Sequence, residues 1–126
     1  MLPGHHRLRG SADFAAVFRG ARGSGGSRSG CRLIVVHANS AGARAGQPPR
    51  VGFVVSKAVG NAVVRNRTKR VLRALMGARL TRLPDGIDVV IRANADLPGS
   101  PRAVLVRDLD RLLATVLRRV ALQEGH

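Results

Sequence analysis

The chain contains no tryptophan and no tyrosine, and Phe14, Phe18 and Phe53 are its only aromatic residues. Its single cysteine, Cys31, excludes an internal disulfide and a thiolate zinc cluster and suits a reducing cytoplasm. The neighbours of Cys31 suggest a buried strand position. His5 and His6 are adjacent near the N-terminus, a pairing that suits a polar tail better than a metal site, and His37 and His126 stand alone. No stretch approaches 18 consecutive apolar residues, and MLPGHHRLRG lacks the apolar run of a signal peptide. The expectation is a cytoplasmic, unexported protein with no membrane partner.

Acid is scarce as well. After Asp13 no carboxylate occurs until Asp85, while residues 14–84 hold fourteen of the 22 lysines and arginines. The seven acidic residues are dispersed, most of them in the C-terminal part, so they form no carboxylate cluster of the kind chain-borne catalysis would need. The net charge of +15 and pI near 12.0 point to a polyanionic partner, a nucleic acid or an anionic membrane, and say nothing about fold. Only Lys57 and Lys69 are lysines; the other cations are arginines.

What is present is concentrated in Ser56 to Arg73, SKAVGNAVVRNRTKRVLR, which joins a strand end, a tight turn and a helix and carries six cations. At 3.6 residues per turn, Val64, Thr68, Val71, Leu72 and Leu75 make one apolar stripe. Arg65, Asn66, Lys69, Arg70 and Arg73 fall on the other side, three or four residues apart. Like charges at that spacing cost an isolated helix a few tenths of a kcal/mol per pair. A solvated basic face normally alternates Lys with Glu. Here the alternation is missing, and relief has to come from outside the chain. Phosphate answers it best, because guanidinium binds its oxygens in bidentate fashion and counterion release drives association.

At 126 residues and 44% hydrophobic content the chain supports one domain over residues 1–126, with tails expected over about 1–10 and 123–126. Ser11 caps an expected first helix, SADFAAVFRG, in which Phe14, Val17 and Phe18 share a face and Gly20 marks the end. ARGSGGSRSG, residues 21–30, reads as a loop with room for a short edge strand. Cys31–Ala38 and Arg50–Ser56 read as strands, expected to pair as an antiparallel hairpin with a long connection. Pro84, Asp85 and Gly86 signal a turn before a strand over Ile87–Ala93. Ser100 as cap and Pro101 in the first turn open a last helix, with Leu105, Leu109, Leu112, Leu113, Val116 and Val120 as its apolar stripe. The order is α-β-β-(β)-α-β-α, an α/β (α+β) two-layer sandwich. The βαβ unit over residues 50–93 would ordinarily cross over right-handedly.

RVGFVVSKAVGNAVVRNRTKRVLRAL, with its central Arg65, Asn66 and Arg67, closely resembles the signature of the bacterial ribonuclease P protein component family. The likeness runs from LPGHHRLRGSADFAAVF to the last helix. It implies a small α/β sandwich with the rare left-handed βαβ crossover. It also implies the accessory protein subunit of an endoribonuclease that removes the 5′ leader of precursor tRNA. In such a particle the RNA subunit and its Mg²⁺ do the hydrolysis, so the protein would bring no catalytic side chain and no cofactor of its own, and no obligate protein partner is expected.

Carried over by position, the resemblance assigns Arg65, Asn66, Arg67, Lys69, Arg70 and Arg73 to the catalytic RNA. Gly60 and Asn61 make the turn that starts the helix; their amides suit a phosphate, although Gly60 also reads simply as a turn residue. The second site it implies is a cleft for the single-stranded leader, with Phe14 and Phe18 as stacking surfaces and Ser56 and Lys57 at the strand end. Packing of Phe14 and Phe18 against the sheet explains them equally well. The family often has a second lysine where this chain has Ala58, and an aromatic on the strand written LIVVH; Arg32 and Arg50 are the candidates to compensate. The alternative from another class is a non-catalytic RNA-binding or ribosome-associated basic protein using the same helix. A membrane-surface protein fits less well, because the basic helix lacks aromatic or long apolar anchors.

Overall fold

The computed structural model describes residues 7, 8, 17, 26–40 and 46–124, with side chains to residue 122. Four strands, β1 (Gly26–Gly30), β2 (Ile34–Ser40), β3 (Arg50–Val55) and β4 (Ile87–Ala93), form one sheet in the order β1-β2-β4-β3. Helix α1 (Ala62–Gly77) joins β3 to β4, and α2 (Arg102–Glu124) follows β4. The expected first helix lies outside the described residues except for Val17, which is helical and fully buried.

The strand order corrects the expected hairpin. β2 and β3 do not pair; β4 lies between them, antiparallel to β2 and parallel to β3. β4 is buried along both faces at every position except Arg92. A strand of that kind satisfies its backbone best in the sheet centre, with a ladder on each side. With β4 between them, β2 and β3 lie two strand spacings apart, about 10 Å. The edge strand within the Gly/Ser-rich segment is present as β1, paired antiparallel with β2 from Gly26↔Asn39 to Gly30↔Val35.

Alternation sorts the sheet into two faces. Ile34, Val36 and Ala38 of β2, Val51 and Val55 of β3, and Ile87, Val89, Ile91 and Ala93 of β4 join the main core. Leu72 and Met76 of α1 and Leu109, Leu112 and Val116 of α2 close it from above, all fully buried. Burying each such side chain is worth about 1.5–3 kcal/mol. The opposite face carries a smaller cluster of Leu8, Val17 and Val90, with Val54 beside it. Leu8 sits inside the segment expected as a tail: Arg7 bridges Val51 in parallel, and the Leu8 amide donates to the Val51 carbonyl at 3.0 Å. At the other end α2 continues to Glu124, also into an expected tail.

Two local expectations are also corrected. Cys31 lies just before β2 and is half-buried, with its thiol 3.6 Å from Asp108 Oδ2. Ser100 does not cap α2; its hydroxyl donates to the Leu97 carbonyl at 2.6 Å, and the Pro101 carbonyl accepts from Val104 and Leu105. The turn before β4 is as expected: Gly86 takes φ +80°, a value that favours glycine, and its amide donates to Gln47 at 2.8 Å.

Candidate nucleic-acid interface

Helix α1 starts where a polar cap and a glycine permit it. Asn61 is extended, and its Oδ1 accepts from the Val64 amide at 3.0 Å. Gly60 takes φ 155°, and a Cβ there would come within 2.9 Å of the Val64 side chain. Gly60 is thus fixed by conformation and space together. The buried stripe is centred on Thr68, Leu72 and Met76, with Val64, Val71 and Leu75 half-buried beside it, so Met76 joins the expected set. The Thr68 hydroxyl donates to the Val64 carbonyl at 2.9 Å, which satisfies its polar atom in the core.

The outward side carries the cations. Asn66, Arg67 and Arg70 are exposed, and Arg65, Lys69 and Arg73 are half-buried. Among the described residues none of these five cations has an ion-pair partner, and Arg65 Nε is covered by protein without an acceptor. Four carboxylates are engaged elsewhere. Asp88 takes both Arg50 Nε at 3.0 Å and Arg50 Nη2 at 2.8 Å. Asp110 takes Arg79 Nε at 2.6 Å and Arg82 Nη1 at 3.0 Å, and its carboxyl is held below its ordinary value chiefly by the hydrogen bond from Arg79. Asp108 lies 3.6 Å from both Arg107 and Arg111, and Asp96 lies 3.6 Å from Arg32.

The described sequence-derived site residues separate into four places. Gly60, Asn61, Arg65, Asn66, Arg67, Lys69, Arg70 and Arg73 are together on α1 and its entry turn. Lys69 and Arg73 also flank a groove of about 110 Å³ that Arg7, Leu8 and Phe53 line from the edge of β3. Ser56 and Lys57 are exposed at the end of β3, where Lys57 begins a short 3₁₀ turn. Arg50 spends its guanidinium on Asp88 between β3 and β4, and Arg32 stands well exposed beside Asp96, before β2. Phe14 and Phe18 lie outside the described residues.

Some contributors were not visible in the sequence. Arg28 and Arg92 are exposed cations on the sheet face opposite α1, flanking His37. Burial, reinforced by repulsion from Arg28 and Arg92, lowers the His37 pKa from 6.5 to about 4, so this face is basic through arginine while its histidine stays neutral. Register alone brings Arg28 and His37 side by side, and no spacing rule within either strand reports it. Among the described residues no three His, Cys, Asp or Glu side chains gather as a metal site, and no helix is long and apolar enough to cross a membrane.

A family model described as Ribonuclease P matches residues 2–117. The chain belongs to the ribonuclease P protein family. The ribonuclease P protein component of Kocuria rhizophila is 46% identical over 121 residues, covering 96% of this chain and 100% of the relative. That of Beutenbergia cavernae is 51% identical over 116 residues, 92% of each chain. Among solved structures, the ribonuclease P protein from Thermotoga maritima matches with a TM-score of 0.70 at 25% identity over 87% of this chain and 96% of that one. The Staphylococcus aureus ribonuclease P protein shares the fold, with a TM-score of 0.72 at 23% identity over 87% and 94% of the two chains. The resemblance carried by SKAVGNAVVRNRTKR is borne out. Membership brings a subunit role in the ribonuclease P endoribonuclease and an RNA partner.

Proposed function

We propose that α1 binds the catalytic RNA of ribonuclease P, and that the opposite sheet face holds the 5′ leader of precursor tRNA during its removal. The observation that carries this reading is the set of five α1 cations without one carboxylate partner among the described residues, in a fold that pairs Asp88, Asp96, Asp108 and Asp110 with arginines elsewhere. Phosphate oxygens supply the acceptors that the exposed ends of these side chains lack. Asn66, exposed between Arg65 and Arg67, both donates and accepts and so suits base edges or 2′-hydroxyls.

The leader reading rests on a different surface. Arg28, Arg92 and Val54 share the face on which Val17 packs, and Lys57 stands at the strand end beside it. Cations beside an apolar floor suit a single strand of varied sequence, with Phe14 and Phe18 supplying stacking surfaces. In this division of labour the protein positions two RNAs, and the RNA subunit with its Mg²⁺ hydrolyses the phosphodiester.

The test is cleavage of precursor tRNA by bacterial ribonuclease P RNA at low Mg²⁺, with and without the protein, on long-leader and leaderless substrates. Activation that is greater for the long leader is expected. Activation equal for both substrates would remove the leader site, and no activation with a cognate RNA would favour a non-catalytic RNA-binding role.

A further inference from the structure

Beside the basic face, α1 and the turn preceding α2 enclose a cleft of about 220 Å³. Val64 and Val71 of α1, Leu97 of the turn and Leu105 of α2 supply its apolar walls, and Arg67 and Arg102 stand at it from the two helices. Both arginines are exposed, and neither has an ion-pair partner among the described residues. Among the described residues no carboxylate lines the cleft, and the first turn of α2 contains none.

A neighbouring cleft on the far side of the same turn provides the contrast. It is larger, about 590 Å³, but Asp96 and Asp108 line it together with Arg32 and Arg107, so its charge is balanced from within. Two adjoining clefts share Pro98, Gly99 and Ser100, and only one keeps its cations uncompensated.

We propose that the cleft between α1 and the turn before α2 takes one unpaired nucleotide of the RNA partner, its base against Val64, Val71 and Leu97 and its phosphate between Arg67 and Arg102. Pockets for whole small-molecule ligands run to about 300–1,000 Å³. A cleft smaller than that suits one splayed base, and RNA-binding proteins gain sequence information chiefly from such unstacked bases. Apolar walls take the base face, and paired guanidinium groups suit the phosphate. The site continues the α1 basic face through Arg67 and extends it to a residue outside the basic helix, Arg102. The inference rests on α1 being the RNA-binding helix, and it adds a base-holding pocket to the phosphate contacts of that face.

The experiment measures binding of a cognate ribonuclease P RNA transcript over a range of salt to four proteins: the full chain, Arg102→Ala, Val71→Phe, and Arg65→Ala/Arg70→Ala as the reference for the α1 face. Arg102→Ala is expected to weaken binding about tenfold and flatten the log–log salt slope by about 0.7, as loss of one single-strand phosphate contact should. Val71→Phe, which fills the cleft and keeps both arginines, is expected to weaken binding with the slope unchanged. A benzoylphenylalanine photoprobe at Pro98 is expected to crosslink to a single unpaired nucleotide, and this readout stands even if Val71→Phe fails to fold. Unchanged affinity and slope in Arg102→Ala beside a weakened Arg65→Ala/Arg70→Ala would overturn the pocket and leave the α1 reading intact. No change in either variant would overturn both. Crosslinks confined to paired RNA, or to a second copy of the protein, would also overturn the pocket.

Discussion

Helices α1 and α2 pack on the same face of the sheet and are both rich in cations, yet they treat charge in opposite ways. In α2, Asp108 lies beside Arg107 and Arg111, and Asp110 reaches out to Arg79 and Arg82 beyond the end of α1. In α1 the helix itself carries no acid, and among the described residues its cations have no ion-pair partner on any other element. Total charge therefore says little about where a partner binds. The informative quantity is which cations the fold itself leaves uncompensated.

If that difference separates binding from scaffold, removing charge from each helix should have distinct effects. The largest effect is expected from Arg65→Ala/Arg67→Ala/Arg70→Ala, which should lower activation of precursor cleavage at limiting protein and low Mg²⁺ on the order of a hundredfold. Circular dichroism should show an unchanged fold, because Arg67 and Arg70 are exposed and Arg65 is only half-buried. Arg79→Ala should do the reverse. It breaks a half-buried ion pair to Asp110 and a 2.8 Å bond to the Leu75 carbonyl, so thermal denaturation should show a loss of about 2 kcal/mol, with the salt slope of RNA binding unchanged.

Acid titration sharpens the same contrast. The folded pKa of His37 lies near 4, and the unfolded chain protonates near 6.5, so stability is complete above about 6.5 and declines as pH falls towards 4. His37→Val should abolish that phase. Asp110, whose folded pKa lies below 3.8, contributes stability that is present above that value and lost only as pH falls through the folded pKa, so its phase should survive in His37→Val and vanish in Asp110→Asn. Melting temperature against pH reads both phases.

The smallest effect comes from giving α1 what α2 has. Asn66→Glu places a carboxylate three residues before Lys69 and four before Arg70, and should stabilise the protein by about 0.3 kcal/mol while weakening RNA binding. A variant that binds RNA as tightly as the parent would blunt the comparison.

The sequence made α1 legible because both of its signals are local. The 3.6-residue stripe is written within the helix, and the missing acid is a property of one uninterrupted stretch. The strands β3 and β4 and the long stripe of α2 were legible for the same reason. Pairing was not: the insertion of β4 between β2 and β3 depends on which strand is buried on both faces, and only the assembled sheet decides that. Arg50 shows the limit for the site. As a lone arginine at a strand start it looked available, and the parallel register that sets it opposite Asp88 comes from a strand nearly forty residues later. The clefts share this property, since Arg67 meets Arg102 only after α2 has docked.

The salt dependence of binding to cognate ribonuclease P RNA, measured for the full chain and for Arg65→Ala/Arg67→Ala/Arg70→Ala, tests the central claim most directly. If the uncompensated cations of α1 hold RNA phosphates, the log–log slope should flatten by about 2, close to 0.7 for each lost contact. An unchanged slope and affinity in a folded variant would contradict the account and move the RNA to another face of the protein.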